Sequence, residues 1–110
     1  LAPIIKKEDG LIDWSLPAPE ILCRMRGFTP WPGAYTYLRG QRFHIWKARL
    51  SEAGGEAGVL RIQGRRATVG CGASTAIELI EVQAEGRKRM PAEAFLNGNP
   101  IHEKEVLTNC

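Results

Sequence analysis

The spacing of apolar residues changes period once along this chain, and the change separates a helical segment from a β segment. Ile21, Leu22, Met25 and Phe28 fall at i, i+1, i+4 and i+7, which is one stripe of a helix. Pro19 has no N–H to donate, so it belongs in a first turn. A helix is therefore predicted from about Pro17, ending at Gly27 and Pro30. The next residues, Phe28-Thr29-Pro30-Trp31-Pro32-Gly33-Ala34, hold two prolines that fix φ and a glycine that can turn. That composition predicts a built corner, not a tether.

From Ala34 onward the period is two, in short runs rich in Val, Ile, Thr, Tyr and Trp between glycines. Residues 34–39 and 42–50 flank Gly40-Gln41, a predicted tight hairpin. Phe43 and Ile45 share one face while Trp46, Ala48 and Leu50 share the other, so the buried phase switches near Ile45. A bulged strand turning a barrel corner would do this. Residues 58–62, 66–71 and 75–83 read as three further strands, joined by Gln63-Gly64-Arg65 and Gly72-Ala73-Ser74, and Ile77 to Val82 again shows mixed phase. Pro91 is predicted to start a short helix, with Phe95 and Leu96 inward and Asn97-Gly98 stopping it. The expected fold is mainly β: a small OB-like, partly open Greek-key barrel of about five strands, with an N-terminal helix and a short C-terminal helix. Residues 1–12 have linker composition, 13–98 form the domain, and 99–110 carry no pattern and are expected to be a tail in loop or disorder.

A chain of 110 residues fits one ordinary domain. No apolar run approaches the ~18 residues of a membrane span, so no membrane partner is expected. The chain opens at Leu1 without a Met or a leader, and reads as a piece of something longer. Cys23, Cys71 and Cys110 share no C-x-x-C spacing, which predicts reduced thiols in the cytoplasm, with no disulfide framework and no metal. The net charge of +3 is unevenly distributed: residues 24–89 hold twelve Lys and Arg against five acids, and each end carries a net −2. A basic middle attracts polyanions, nucleic acid first among them.

Catalytic chemistry is thinly represented. His44 and His102 are the only histidines, and no G-x-S-x-G, His-Glu-x-x-His or phosphate loop is present. Asp13, just before the helix, is expected to cap backbone N–H groups. Trp14, Trp31 and Trp46 could stack on bases, worth ~1–3 kcal/mol each, but core packing is the simpler expectation. The cations form several groups: Gly86-Arg87-Lys88-Arg89 before the second helix, Arg65-Arg66 at a strand turn, and Lys47 and Arg49 on one strand with Arg42 nearby. If they converge, they would contact phosphate and sugar and give steeply salt-dependent affinity.

The segments Ala2-Pro3 with Lys6-Lys7-Glu8, Ile12-Asp13-Trp14-Ser15, Arg26-Gly27-Phe28-Thr29-Pro30-Trp31-Pro32-Gly33-Ala34, Ile45-Trp46-Lys47-Ala48 and Gly86-Arg87-Lys88-Arg89-Met90 occur in that order over nearly the whole chain. In this order and spacing the chain resembles the C-terminal domain of bacterial methionyl-tRNA formyltransferases. The related formyltetrahydrofolate hydrolases and sugar N-formyltransferases share the helix and barrel plan but match Thr-Pro-Trp-Pro-Gly-Ala less closely, and a structural barrel of that kind is the alternative. The resemblance implies a tRNA-binding domain that positions initiator methionyl-tRNA for formylation. In that family the formyl donor 10-formyltetrahydrofolate is bound by an N-terminal catalytic domain, which the resemblance implies is not in this segment. It implies no catalytic residue and no cofactor here, and the positions that could carry the RNA role are Arg39, Arg42, Lys47, Arg49, Arg65, Arg66, Arg87, Lys88 and Arg89. Ala57 stands before Gly58 where the family often has Pro-Gly, which implies a looser loop.

Overall fold

The computed structural model describes residues 10–28, 33–52, 54–63, 66–98 and 104–108. Outside them lie most of the expected linker, Thr29 to Pro32 of the corner with Trp31, the Gly64-Arg65 turn, His102 and Cys110. Helix α1 spans Ala18–Phe28, beginning one residue after the expected Pro17. Its stripe buries Ile21 and Met25, with Leu22 packed against the core. Two loops fix its start. Asp13 Oδ1 accepts from the Ser15 N–H at 3.0 Å and from Ser15 Oγ at 2.6 Å, an Asx turn. These bonds, the hydroxyl's first, hold the Asp13 carboxyl below its usual value. The cap of the helix itself comes from elsewhere: the Ala18 N–H donates to Thr75 Oγ1 at 2.8 Å.

Strands β1 (Tyr35–Leu38), β2 (Gln41–Ser51), β3 (Val59–Gln63), β4 (Arg66–Gly70) and β5 (Ala76–Ala84) follow. Two-residue β6 (Met90–Pro91), helix α2 (Ala92–Gly98) and β7 (Lys104–Thr108) complete the described elements. The sheet order is β2-β1-β7-β3-β4-β5-β6, and pairing of β2 with β5 closes six of these strands into a ring. The mainly β barrel with its two helices is as expected, but it is closed, and a sixth strand closes it. Phe43, Ile45, Leu60, Val69, Ile77 and Val82 fill the interior. Trp14 is buried against this core, and its Nε1 donates to the buried Thr36 Oγ1 at 3.0 Å, so the indole leaves no polar atom orphaned. Phe95 of α2 packs on Phe43 with ring centroids 5.1 Å apart.

The extra strand is β7, within the segment expected to be a loop or disordered tail. It pairs with β1 through Leu107 opposite Leu38, and with β3 through Val106 opposite Val59. Leu107 is buried and its N–H donates to Gly58 O at 2.7 Å. The hairpin turn also shifts by one residue. It is Arg39-Gly40, with φ of 53° and 79°, between the facing pair Leu38 and Gln41. A two-residue loop with both central φ values positive matches the twist of the flanking strands, and Arg39 accepts the left-handed conformation beside Gly40. Ala57 does not leave a free loop, since it bridges to Gly70 and the Gly58 N–H donates to Gly70 O at 2.9 Å.

The expected phase switch is present, and it is double. Ile45 faces Val82, Lys47 faces Glu81 and Ala48 faces Leu79. Trp46 is therefore an extra residue on β2, and Ile80 is an extra residue on β5 directly after it. One offset cancels the other, so Phe43 and Ile45 on one side and Leu79 and Ile77 on the other all remain inside.

Candidate nucleic-acid interface

Because Thr36, Leu38, Phe43 and Ile45 point inward, strand alternation puts Tyr35, Tyr37, Arg42, His44 and Trp46 on the outer face of the β1–β2 hairpin. These side chains form one continuous stack. Tyr37 meets Tyr35 edge-on at 6.1 Å, Tyr35 lies 5.6 Å from His44, and His44 stacks on Trp46 at 5.3 Å with planes 9° apart. Two cations lie over its rings: Arg42 Cζ is 5.3 Å above the inner Tyr35 ring and Arg89 Cζ is 4.8 Å above Trp46 at one end. Such contacts contribute about 0.5–1 kcal/mol at exposed sites. Gly33 lies against the stack. With φ of 79°, its position would place a Cβ 2.9 Å from the Trp46 ring, so the corner needs glycine for both shape and space.

Hydrogen bonds fasten the Arg87 loop to this hairpin. Trp46 Nε1 donates to Gln83 Oε1 at 2.9 Å, and Gln83 Nε2 donates to Arg87 O at 2.8 Å. The Glu85 N–H donates to Arg42 O at 2.9 Å, and the Arg87 N–H to Ala84 O at 3.0 Å. Arg42, Lys47, Arg87, Lys88 and Arg89 thus lie along the β2–β5 flank. Their pairing differs. Lys47 Nζ is 4.0 Å from Glu81 Oε2, and Arg89 bonds the other oxygen of Glu81. Among the described residues, Arg42, Arg87 and Lys88 make no ion pair.

The remaining expected positions are placed differently. Arg39 is turned back to Glu105 of β7, with Nη2 to Oε1 at 2.6 Å. Arg49 is matched across the strands by Glu78 at 3.0 Å, and shares a groove of about 390 Å³ with Arg66, which makes no ion pair among the described residues. Arg65 lies outside the described residues. Arg26 of α1 was not among the expected positions, yet it lines a groove with Trp46 and Lys47. Its place off the apolar stripe of the helix was the available signal.

One polar atom is anomalous. Arg42 Nε is buried without a hydrogen-bond partner, a state that costs about 1–3 kcal/mol for a neutral group and more for a charged one. Arg42 also lines, with Leu38, Arg39, Gln41, Phe43, Ala84, Arg87 and Phe95, an open cavity of about 100 Å³ at the barrel rim. No cluster of three His, Cys, Asp or Glu side chains able to hold a metal occurs among the described residues. Burial pushes the Cys71 thiol up to about 11, so it is protonated and unreactive at neutral pH. Among the described residues no helix is long and apolar enough to cross a membrane.

Residues 4–100 match the sequence profile of the family described as "Formyl transferase, C-terminal domain". The chain belongs to that family. This formyl transferase C-terminal domain is 59% identical over 98 residues to the methionyl-tRNA formyltransferase of Koribacter versatilis, covering 89% of this chain and 31% of that protein. It is 51% identical over 110 residues to the one from Solibacter usitatus, covering 97% of this chain and 34% of that protein. The domain therefore spans about a third of the length of these curated relatives. Among solved structures, HypX from Aquifex aeolicus in complex with tetrahydrofolic acid superposes with a TM-score of 0.67 at 17% identity, over 97% of this chain and 22% of that one. At that identity the likeness concerns the fold alone.

Proposed function

We propose that this formyl transferase C-terminal domain binds tRNA, positioning initiator methionyl-tRNA for N-formylation in the cytoplasm by a catalytic domain elsewhere in the protein. In this reading 10-formyltetrahydrofolate serves that other domain as formyl donor, and the barrel supplies no catalytic group. The observation that carries the reading is the set of cations Arg42, Arg87 and Lys88, without ion pairs among the described residues, beside an aromatic stack on one flank of the barrel. Guanidinium and ammonium groups free of carboxylates exchange counterions for phosphates, and the half-buried rings of Tyr37, His44 and Trp46 in the same stack suit sugar and base, whereas Tyr35 is buried. Similarity to curated methionyl-tRNA formyltransferases supports the choice of tRNA among polyanions. The test is a titration of the 110-residue chain with tRNA at rising salt, beside a variant carrying Arg87→Ala, Lys88→Ala and Arg89→Ala. The expected result is binding that weakens steeply with salt, and about tenfold more weakly in the variant. Absent or salt-insensitive binding would overturn the reading.

A further inference from the structure

We infer that the rim cavity beside the β1–β2 turn is a seat for a single phosphodiester, shared by Arg42 and Arg87. This inference rests on the proposed RNA reading and says where one backbone phosphate is gripped. Arg39, Arg42 and Arg87 line the cavity, no carboxylate does, and Phe43 and Phe95 form its apolar base. Its volume of about 100 Å³ exceeds the ~30 Å³ that one water takes up in the liquid, leaving space for a compact oxyanion.

The backbone segments that carry the two principal cations are tied together before any ligand arrives. Arg42 rests on the Tyr35 ring, and the backbone of the Arg87 loop is tied to the Arg42 carbonyl by Glu85 and to Trp46 through Gln83. Arg39 contributes less, since Glu105 already neutralises it. Two guanidinium groups within one loop-and-hairpin unit repel each other in the absence of an anion, and a phosphate between them removes that repulsion.

A shared phosphate makes a non-additive prediction. For every phosphate that the protein no longer neutralises, the slope of log affinity against log salt falls by about 0.7–0.9. Arg42→Gln and Arg87→Gln each leave one cation on the phosphate and should flatten the tRNA slope by well under that amount, whereas the double variant should flatten it by about that amount in total. An Arg61→Gln control on β3, across the ring, should leave the slope unchanged. In a second arm, inorganic phosphate is titrated into the chain while the Arg Nε–H signals are followed by NMR. Arg42 and Arg87 signals should shift together, and Arg42→Lys, which keeps the charge and the folded spectrum but loses the fork, should weaken the response. A full increment lost in each single variant and twice that in the double variant, or no loss even in the double variant, would overturn the shared seat while leaving tRNA binding standing. If the chain does not bind tRNA but phosphate shifts both signals, the seat stands as a small-anion site and the RNA reading fails. Phosphate that moves neither signal overturns the seat.

Discussion

The two halves of β2 carry the same kinds of residue and use them in opposite ways. In the first half Arg42 stands over an aromatic ring with no carboxylate partner among the described residues, while in the second Lys47 and Arg49 face Glu81 and Glu78 across the strand pair. The residue types do not decide which cations are free; the pairing across the strands does. Opposite the first half lie Gln83 and Ala84, and the exposed Glu85 next to Arg42 makes no ion pair with it among the described residues, whereas the two glutamates opposite the second half bond the cations they face. A cation matched in register is largely neutralised for a distant polyanion, whereas one propped on a ring keeps its field.

That contrast can be broken at its hinge. Trp46 joins both halves, through the His44 stack on one side and the Arg89–Glu81 pair on the other, and Trp46→Ala should cost about 3 kcal/mol of stability in urea denaturation. Gly33→Ala, which presses a methyl into the same ring from a left-handed backbone, should cost about 1–3 kcal/mol by the same measurement. Glu81→Gln should make the second half behave like the first. With Lys47 and Arg89 released, tRNA affinity at low salt should rise about threefold and the salt slope steepen by up to about 0.9. Removing the other carboxylate partner sharpens the comparison from the stability side: an Arg49/Glu78 double-mutant cycle should return only about 0.2–1 kcal/mol, since the arginine side chain is 58% exposed.

The smallest effect is a pH dependence away from β2. The folded-state carboxyl of Asp13 lies below its ordinary value of 3.8, so the stability it lends is present above that value and drains away as pH falls through the lower folded one. Asp13→Asn should therefore lower stability slightly at neutral pH and leave the acid end unchanged, so that the acid limb flattens, as followed by thermal melts across pH.

The helix stripe, the hairpin and the β2 phase switch were legible because each is written in local spacing. Strand β7 was not: Val106 and Leu107 are two apolar residues in a polar tail, and they become a strand only because β1 and β3 both present open edges to them. Thr75 as the helix cap was equally hidden, lying 57 positions away from the N–H it receives. For the interface, local spacing revealed the cations but not their partners. Register separates Arg42 and Arg87 from Arg39 and Arg49, and register was legible only as far as the bulge.

The paired offsets at Trp46 and Ile80 make the β2–β5 ribbon a two-key lock on chain length. Deleting either residue alone would turn one half of a strand inside out, sending Phe43 and Ile45 or Ile77 and Leu79 to solvent. Deleting both would restore the alternation and erase the outward step that brings Trp46 beside Arg89. Single-residue length changes are thus barred on each strand separately, yet open to both together, and the barrel could survive such a joint loss while the contact of Trp46 with Arg89 did not.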